Sequence, residues 1–259
     1  ALVRPGRVLA VTCYWEALAP LTNDYFTYHH LLGRGLEPVG KEHGYPGSGS
    51  FPTTLWPSGK VIAATEWIRV GTDTVGPALG RLSVGVYHPE TDIHLEPVNS
   101  LGHSLELVVA AEFKIAAPAR QSITVANPIH YSVGDVANLV GFEIKQGDPL
   151  RVVLIWEATA VPLTHYSVFV HLLDESGAIV GQGDGPPVGG DYPTHLWEPG
   201  ELIVDEHKMV IDPDAQQGSY HLAVGWYQLE DGIRLPVRDE EGTPQSEDRV
   251  ILPAVVELP

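Results

Sequence analysis

Only one cysteine, Cys13, stands in the 259 residues. No intrachain disulfide can form, so packing has to hold the fold together. Basic residues are scarce too: 15 Lys and Arg face 33 Asp and Glu, for a formal charge of −18. Such a surface repels phosphate backbones and anionic lipids, which argues against nucleic acid and membrane surfaces as partners. No apolar run reaches the ~18 residues of a membrane-spanning helix, so direct membrane insertion is not expected. No signal peptide is visible, and the chain opens on Ala1, as expected of a processed or trimmed product. The sequence also lacks a P-loop, G-x-G-x-x-G, G-x-S-x-G and H-E-x-x-H. No catalytic residue, metal or cofactor is expected, and the protein reads as non-enzymatic.

What the sequence has in quantity is turn formers, with 27 glycines and 22 prolines, and a strong internal repeat. FPTTLWPSGK at 51–60 returns as YPTHLWEPGE at 192–201, 141 positions later. From Trp15 to Ile62 that offset needs no gap, and 19 of 48 positions are identical. Unrelated chains of ordinary composition would share roughly 6%. The matches include Trp15/Trp156, Glu16/Glu157, His30/His171, Pro52/Pro193 and Trp56/Trp197. An offset of 140 then pairs Leu82, Val84, Gly85 and Tyr87 with Leu222, Val224, Gly225 and Tyr227. The chain is read as a duplicated domain.

Each copy reads as β. RVVLIW (151–156) is a compact run rich in β-branched residues, and YHLAVGWY (220–227) puts Leu222, Val224 and Trp226 on one face. LELVVAAEFKIA (105–116) has helical character but aligns with a proline-bearing segment of copy two, so it is read as a strand. Short strands between Gly/Pro turns predict an all-β chain of two tandem antiparallel β-sandwiches, Ig-like or jelly-roll. Residues 1–118 form the first and 119–259 the second, with the pattern breaking near 117–122. Tyr220, two residues before Leu222, is placed to cap a Greek-key corner, whereas copy one has Gly80 there.

The copies differ at their starts. Before Trp156 lies a leader with two strand candidates, IHYSV and ANLVGFEI; before Trp15 there are only fourteen residues. Copy one is therefore expected to lack about two strands, which would expose unpaired backbone groups and part of a core. Three explanations stand: a trimmed chain, a leader that serves both copies, or a strand donated by a neighbouring subunit.

The string VFVHLLDESGAIVGQGDGPPVGGDYPTHLWEPGELIVDEHKMVI, with DGPP at 184–187, YPT at 192–194 and WEPGE at 197–201, resembles a bacterial extracytoplasmic β-sandwich module. That module occurs in tandem surface proteins or attached to multi-span membrane proteins of the glycosyltransferase type. The resemblance covers copy two from about Gly141 and copy one more loosely, where HGYP and WPSGK replace two of the motifs. It implies an accessory, non-catalytic role at the cell surface or outside the cell.

Among candidate ligand residues, Trp56 and Trp197 stand out. A Trp beside Pro and Gly at a loop edge can stack on a sugar ring, with Phe51 or Tyr192 as a second platform and Asp184 nearby. The structural alternative is a ring that plugs the end of the sandwich. His30 and His171 lack ligand partners at metal spacing and read as structural. Asp174, Asp184 and Asp191 fall short of the about six to eight oxygens that calcium takes, and read as turn formers. Glu16 and Glu157 sit opposite the core Trp on their strands and read as solvent-facing. Cys13 aligns with Leu154 and reads as a small buried hydrophobe. The expected function is that of a structural or interaction protein, an assembling surface or filament subunit completed by strand donation. Its partners would be further copies of itself or a neighbouring envelope protein. A carbohydrate-binding accessory module is the alternative, with a glycan as ligand.

Overall fold

The computed structural model describes residues 1–47, 49–117 and 123–258. The chain is all-β, with only single turns of 3₁₀-helix between strands. It divides into two compact units, Ala1–Gln121 and Ser122–Pro259. The linker expected near 117–122 lies, apart from Ala117, outside the described residues.

The second unit has ten strands: β9 (Asn127–Val133), β10 (Ala137–Lys145), β11 (Arg151–Ala158), β12 (Tyr166–Leu173), β13 (Ile179–Gln182), β14 (Leu202–Lys208), β15 (Val210–Ile211), β16 (Gly218–Gln228), β17 (Val237–Asp239) and β18 (Val250–Leu258). They form two five-stranded sheets, β14-β11-β10-β9-β17 and β15-β13-β12-β16-β18. One core joins them, with Leu139, Leu154 and Trp156 from the first packed among Leu172, Leu222 and Trp226 from the second. Period-two alternation made this possible, because each strand offers one apolar face. Each Leu or Val so buried contributes about 1.5–3 kcal/mol. The chain crosses from β11 to β12 and returns from β13 to β14, so β10-β11-β14 faces β12-β16-β18 in the order of an Ig-like Greek key. The Tyr220 hydroxyl donates to the Gln216 carbonyl and ties down the corner before β16.

Among its described residues the first unit has eight strands: β1 (Leu2–Val3), β2 (Val8–Glu16), β3 (Phe26–Leu32), β4 (Pro38–Gly44), β5 (Val61–Arg69), β6 (Ala78–His88), β7 (Ile93–His94) and β8 (Val109–Ile115). One sheet has the order β1-β8-β6-β3-β4, with β7 also on β6; the other is β2-β5 alone. Residues 105–116 supply β8, a strand, as their alignment predicted. β1 runs parallel to β8 at the edge of the larger sheet. The corner tyrosine's place is held by Gly80. A side chain there would strike the Phe113 ring, which lies 2.1 Å from the position a β-carbon would take. The core gathers Leu31, Leu82 and Phe113 beneath Ile68 and Val70, with Leu9, Val11, Cys13 and Trp15 of β2 only partly buried against it.

Candidate functional site: an open groove along β2

β2 and β11 occupy matching places in their units, and their surroundings differ sharply. β11 is central in its sheet: β14 pairs with one edge from Arg151 to Glu157, and β10 pairs with the other. Its inward side chains, Val152, Leu154 and Trp156, are completely buried. β2 pairs in register with β5, from Val8 opposite Arg69 to Glu16 opposite Val61. Among the described residues no strand pairs with its other edge. That edge leaves a row of backbone donors and acceptors along a nine-residue strand without sheet partners.

Beside the edge lies a groove of about 480 Å³. Val11, Cys13 and Trp15 form one wall; Leu82, Val84 and Phe113, from the opposite sheet, form the floor. The larger sheet extends past β2 by way of β6, β8 and β1, so its inner face is uncovered where β10 would lie in the second unit. Among the described residues the Trp15 indole N–H has no acceptor, and both ring nitrogens of the neighbouring buried His29 lack partners. Burial pushes the His29 pKa down to about 4, helped by the nearby His43 and His30, so the ring is neutral near pH 7. Burial, followed by the Glu66 charge, raises the Cys13 pKa, and the thiol is a poor nucleophile.

Of the residues expected to form a ligand platform, Trp197, Tyr192 and Trp56 lie elsewhere and point inward, while Phe51 is half-buried and Asp184 is exposed. Trp197 and Tyr192 are fully buried and Trp56 is nearly so. The Trp197 indole donates to the Tyr192 carbonyl at 3.0 Å, and its ring meets Trp226 edge-on. Trp56 donates in the same way to the Phe51 carbonyl at 3.3 Å. A ring closed on both faces has none to offer a sugar, which corrects the platform expectation for Trp197, Tyr192 and Trp56. Asp184 accepts from the Val170 amide at 3.0 Å and faces His171 at 3.3 Å. Asp174 caps its own turn, accepting from the Ser176 and Ala178 amides.

Two clusters escaped the sequence reading. In the second unit, buried Asp205 accepts from the Trp156 indole at 3.1 Å, from the Val188 amide at 2.7 Å and from His207 at 2.8 Å. This network fastens the 183–191 loop, which carries the DGPP motif, to β11 and β14. In the first unit, one imidazole of the pair His30 and His43 donates to the other across 2.7 Å, and Tyr87 stacks on His94 nearby. Burial and, for His30, the proximity of His43 lower both of these histidine pKa values. Among the described residues, no group of three or more His, Cys, Asp or Glu is arranged to hold a metal ion. No helix of the described residues is long and apolar enough to cross a membrane. Compared with known proteins, the chain matches no family model and no curated sequence.

Proposed function

We propose that the protein is a non-enzymatic interaction or structural protein that works outside the cell or at its surface, and that its first unit accepts a β-strand from a partner along β2. One observation carries this reading: β2 is open on one edge above an apolar groove, while the matching strand of the second unit is enclosed by β10. Strand addition supplies both missing components, main-chain hydrogen bonds along the edge and side chains for the groove. Burial of Trp197, Tyr192 and Trp56 favours this reading over a glycan-binding one.

A fusion tests the proposal. Residues 127–145, which hold β9 and β10, are joined by a flexible linker to Ala1 of the full chain. Cys13 is the only thiol and lines the groove, so its alkylation rate reports whether the groove is filled. The fusion should slow alkylation and stabilise the first unit. Unchanged alkylation together with unchanged stability would refute strand acceptance. Light scattering over a concentration series, with electron microscopy of the same fractions, shows whether copies of the chain supply the strand to one another.

A further inference from the structure

Alternation along β3 buries Thr27, His29 and Leu31 and leaves Tyr28 and His30 on the opposite face of the first unit's larger sheet. On that face two imidazoles meet. Tyr28 pairs with His43 of β4 and His30 pairs with Lys41, so His30 and His43 are diagonal neighbours on adjacent strands. Their Nε2 atoms lie 2.7 Å apart, with the ring planes inclined at 32°. Surrounding rings fix their positions. Tyr28 lies across Gly85, where a β-carbon would come within 2.3 Å of its ring. Its centroid is 4.9 Å from that of His30 and 6.2 Å from that of His43. The Tyr87 hydroxyl lies 3.4 Å from His43 Nδ1. His43 is exposed and His30 half-buried, so small solutes reach the pair.

The second unit closes the same place. At the offset of 141, Phe169, His171 and Asp184 stand for Tyr28, His30 and His43. Phe169 lies over Gly225 as Tyr28 lies over Gly85. Asp184 faces His171 at 3.3 Å and also accepts from the Val170 amide. The Arg234 guanidinium covers Phe169, 4.4 Å from its ring centroid. A fixed positive charge there repels a cation. At the offset of 140 the first unit has His94 in the place of Arg234, and that charge is gone. Of the charges that act on His43, Lys41 opposes a cation, while Glu42 and Asp92 favour one.

We propose that His30 and His43 form a two-histidine site for a divalent transition-metal ion, copper(II) above others, with both Nε2 atoms as ligands and water in the remaining positions. The site is independent of whatever covers β2. Nitrogens bonded at about 2.0 Å in cis positions of a tetragonal complex lie about 2.8 Å apart, near the separation seen; a tetrahedral ion needs about 3.3 Å. Rotation of the two rings brings both lone pairs onto one ion. The imidazole that donates from Nε2 moves that proton to Nδ1 through solvent, so both rings stay neutral and none is released. The Tyr87 hydroxyl stands beside His43 Nδ1, where an outer-shell partner orients a ligating histidine. Copper(II) heads the affinity order for imidazole sites. Among the described residues no group of three or more His, Cys, Asp or Glu is built to hold a metal, so the pair acts without a third such ligand. Chain spacing hid the pair, because 13 positions and a turn separate its members.

Calorimetric titration of the full chain with Cu²⁺ in a non-coordinating buffer tests the site, with electron paramagnetic resonance on the same samples. The wild type should bind one ion tightly, with coupling to two imidazole nitrogens. His30→Gln and His43→Gln should each weaken that ion at least about tenfold, since loss of an outer-shell partner alone costs about 10–100-fold. Glutamine keeps a hydrogen-bonding group beside the remaining ring, so a merely structural pair would tolerate the change. A second pair is the control: His165 and His195 approach at 3.3 Å through their Nδ1 atoms, and His165→Gln should leave the tight ion in place. Broadening of histidine ring signals by substoichiometric Cu²⁺ gives the same answer in the wild type without any substitution, and should centre on His30 and His43. Equal Cu²⁺ affinity in the wild type and both first-unit variants would overturn the site. So would loss of the tight ion in His165→Gln, coupling to a single nitrogen, or broadening centred on other histidines.

Discussion

Replacing Asp205 with alanine should cost the second unit about 3–5 kcal/mol, the range for breaking a buried charged pair from one side. The carboxylate is wholly buried and accepts three hydrogen bonds, from the Trp156 indole, the Val188 amide and His207 Nε2. On its other side His207 donates Nδ1–H to the Gly183 carbonyl at 2.7 Å. Both neighbours of the imidazole offer acceptor oxygens, an arrangement that favours the doubly protonated ring. Burial opposes that charge; the Asp205 hydrogen bond and charge, with the Gly183 carbonyl, outweigh burial and raise the His207 pKa above 6.5. Alanine would leave the indole and the Val188 amide without an acceptor, at about 1–3 kcal/mol each, and would make the ring shed its proton. The pH dependence follows from the direction of the shift. The contribution of His207 is fully present below the unfolded value near 6.5 and is lost as pH rises through the higher folded value. Denaturant unfolding with hydrogen exchange resolved by unit, from about pH 6 to about pH 9, should show the wild-type second unit weakening with pH and the Asp205→Ala unit lacking that component. A loss below about 1 kcal/mol, or the same pH slope in both proteins, would refute the network as a source of stability.

His29 should make the first unit acid-sensitive in the opposite direction. Its folded pKa of about 4 lies below the unfolded 6.5, so the unfolded chain takes up the proton first, and stability falls between pH 7 and pH 5 by at most about 2 kcal/mol. His29→Leu should flatten that slope in the same exchange measurement, and an unchanged slope would assign the acid sensitivity to other groups. Trp197→Ala should destabilise the second unit by about 3–5 kcal/mol as a core truncation. Thermal unfolding checks this, and a variant as stable as the wild type would show that the ring is not part of the packed core.

Much of the fold was legible in the residues because strand formation is a local matter. Alternation set the core face Leu222, Val224 and Trp226, and all three are fully buried. The Tyr220 corner was legible from spacing alone, since the hydroxyl reaches a carbonyl only four residues back. Among the described residues β2 has a single sheet partner, β5. The Trp197 and Trp56 loops were harder to read. Flanking proline and glycine show that the chain turns, but not whether a ring on the turn faces solvent or core.

The sequence by itself determined the strands and the turns, because each depends on residues close together in the chain. Only the tertiary structure decided what touches across the sheets. Asp205 meets Trp156 from 49 positions away. Cys13 lines a groove with Leu82 and Phe113 and is only partly buried, although its alignment with Leu154 predicted a buried hydrophobe. Burial and hydrogen-bond satisfaction belong to the packed whole.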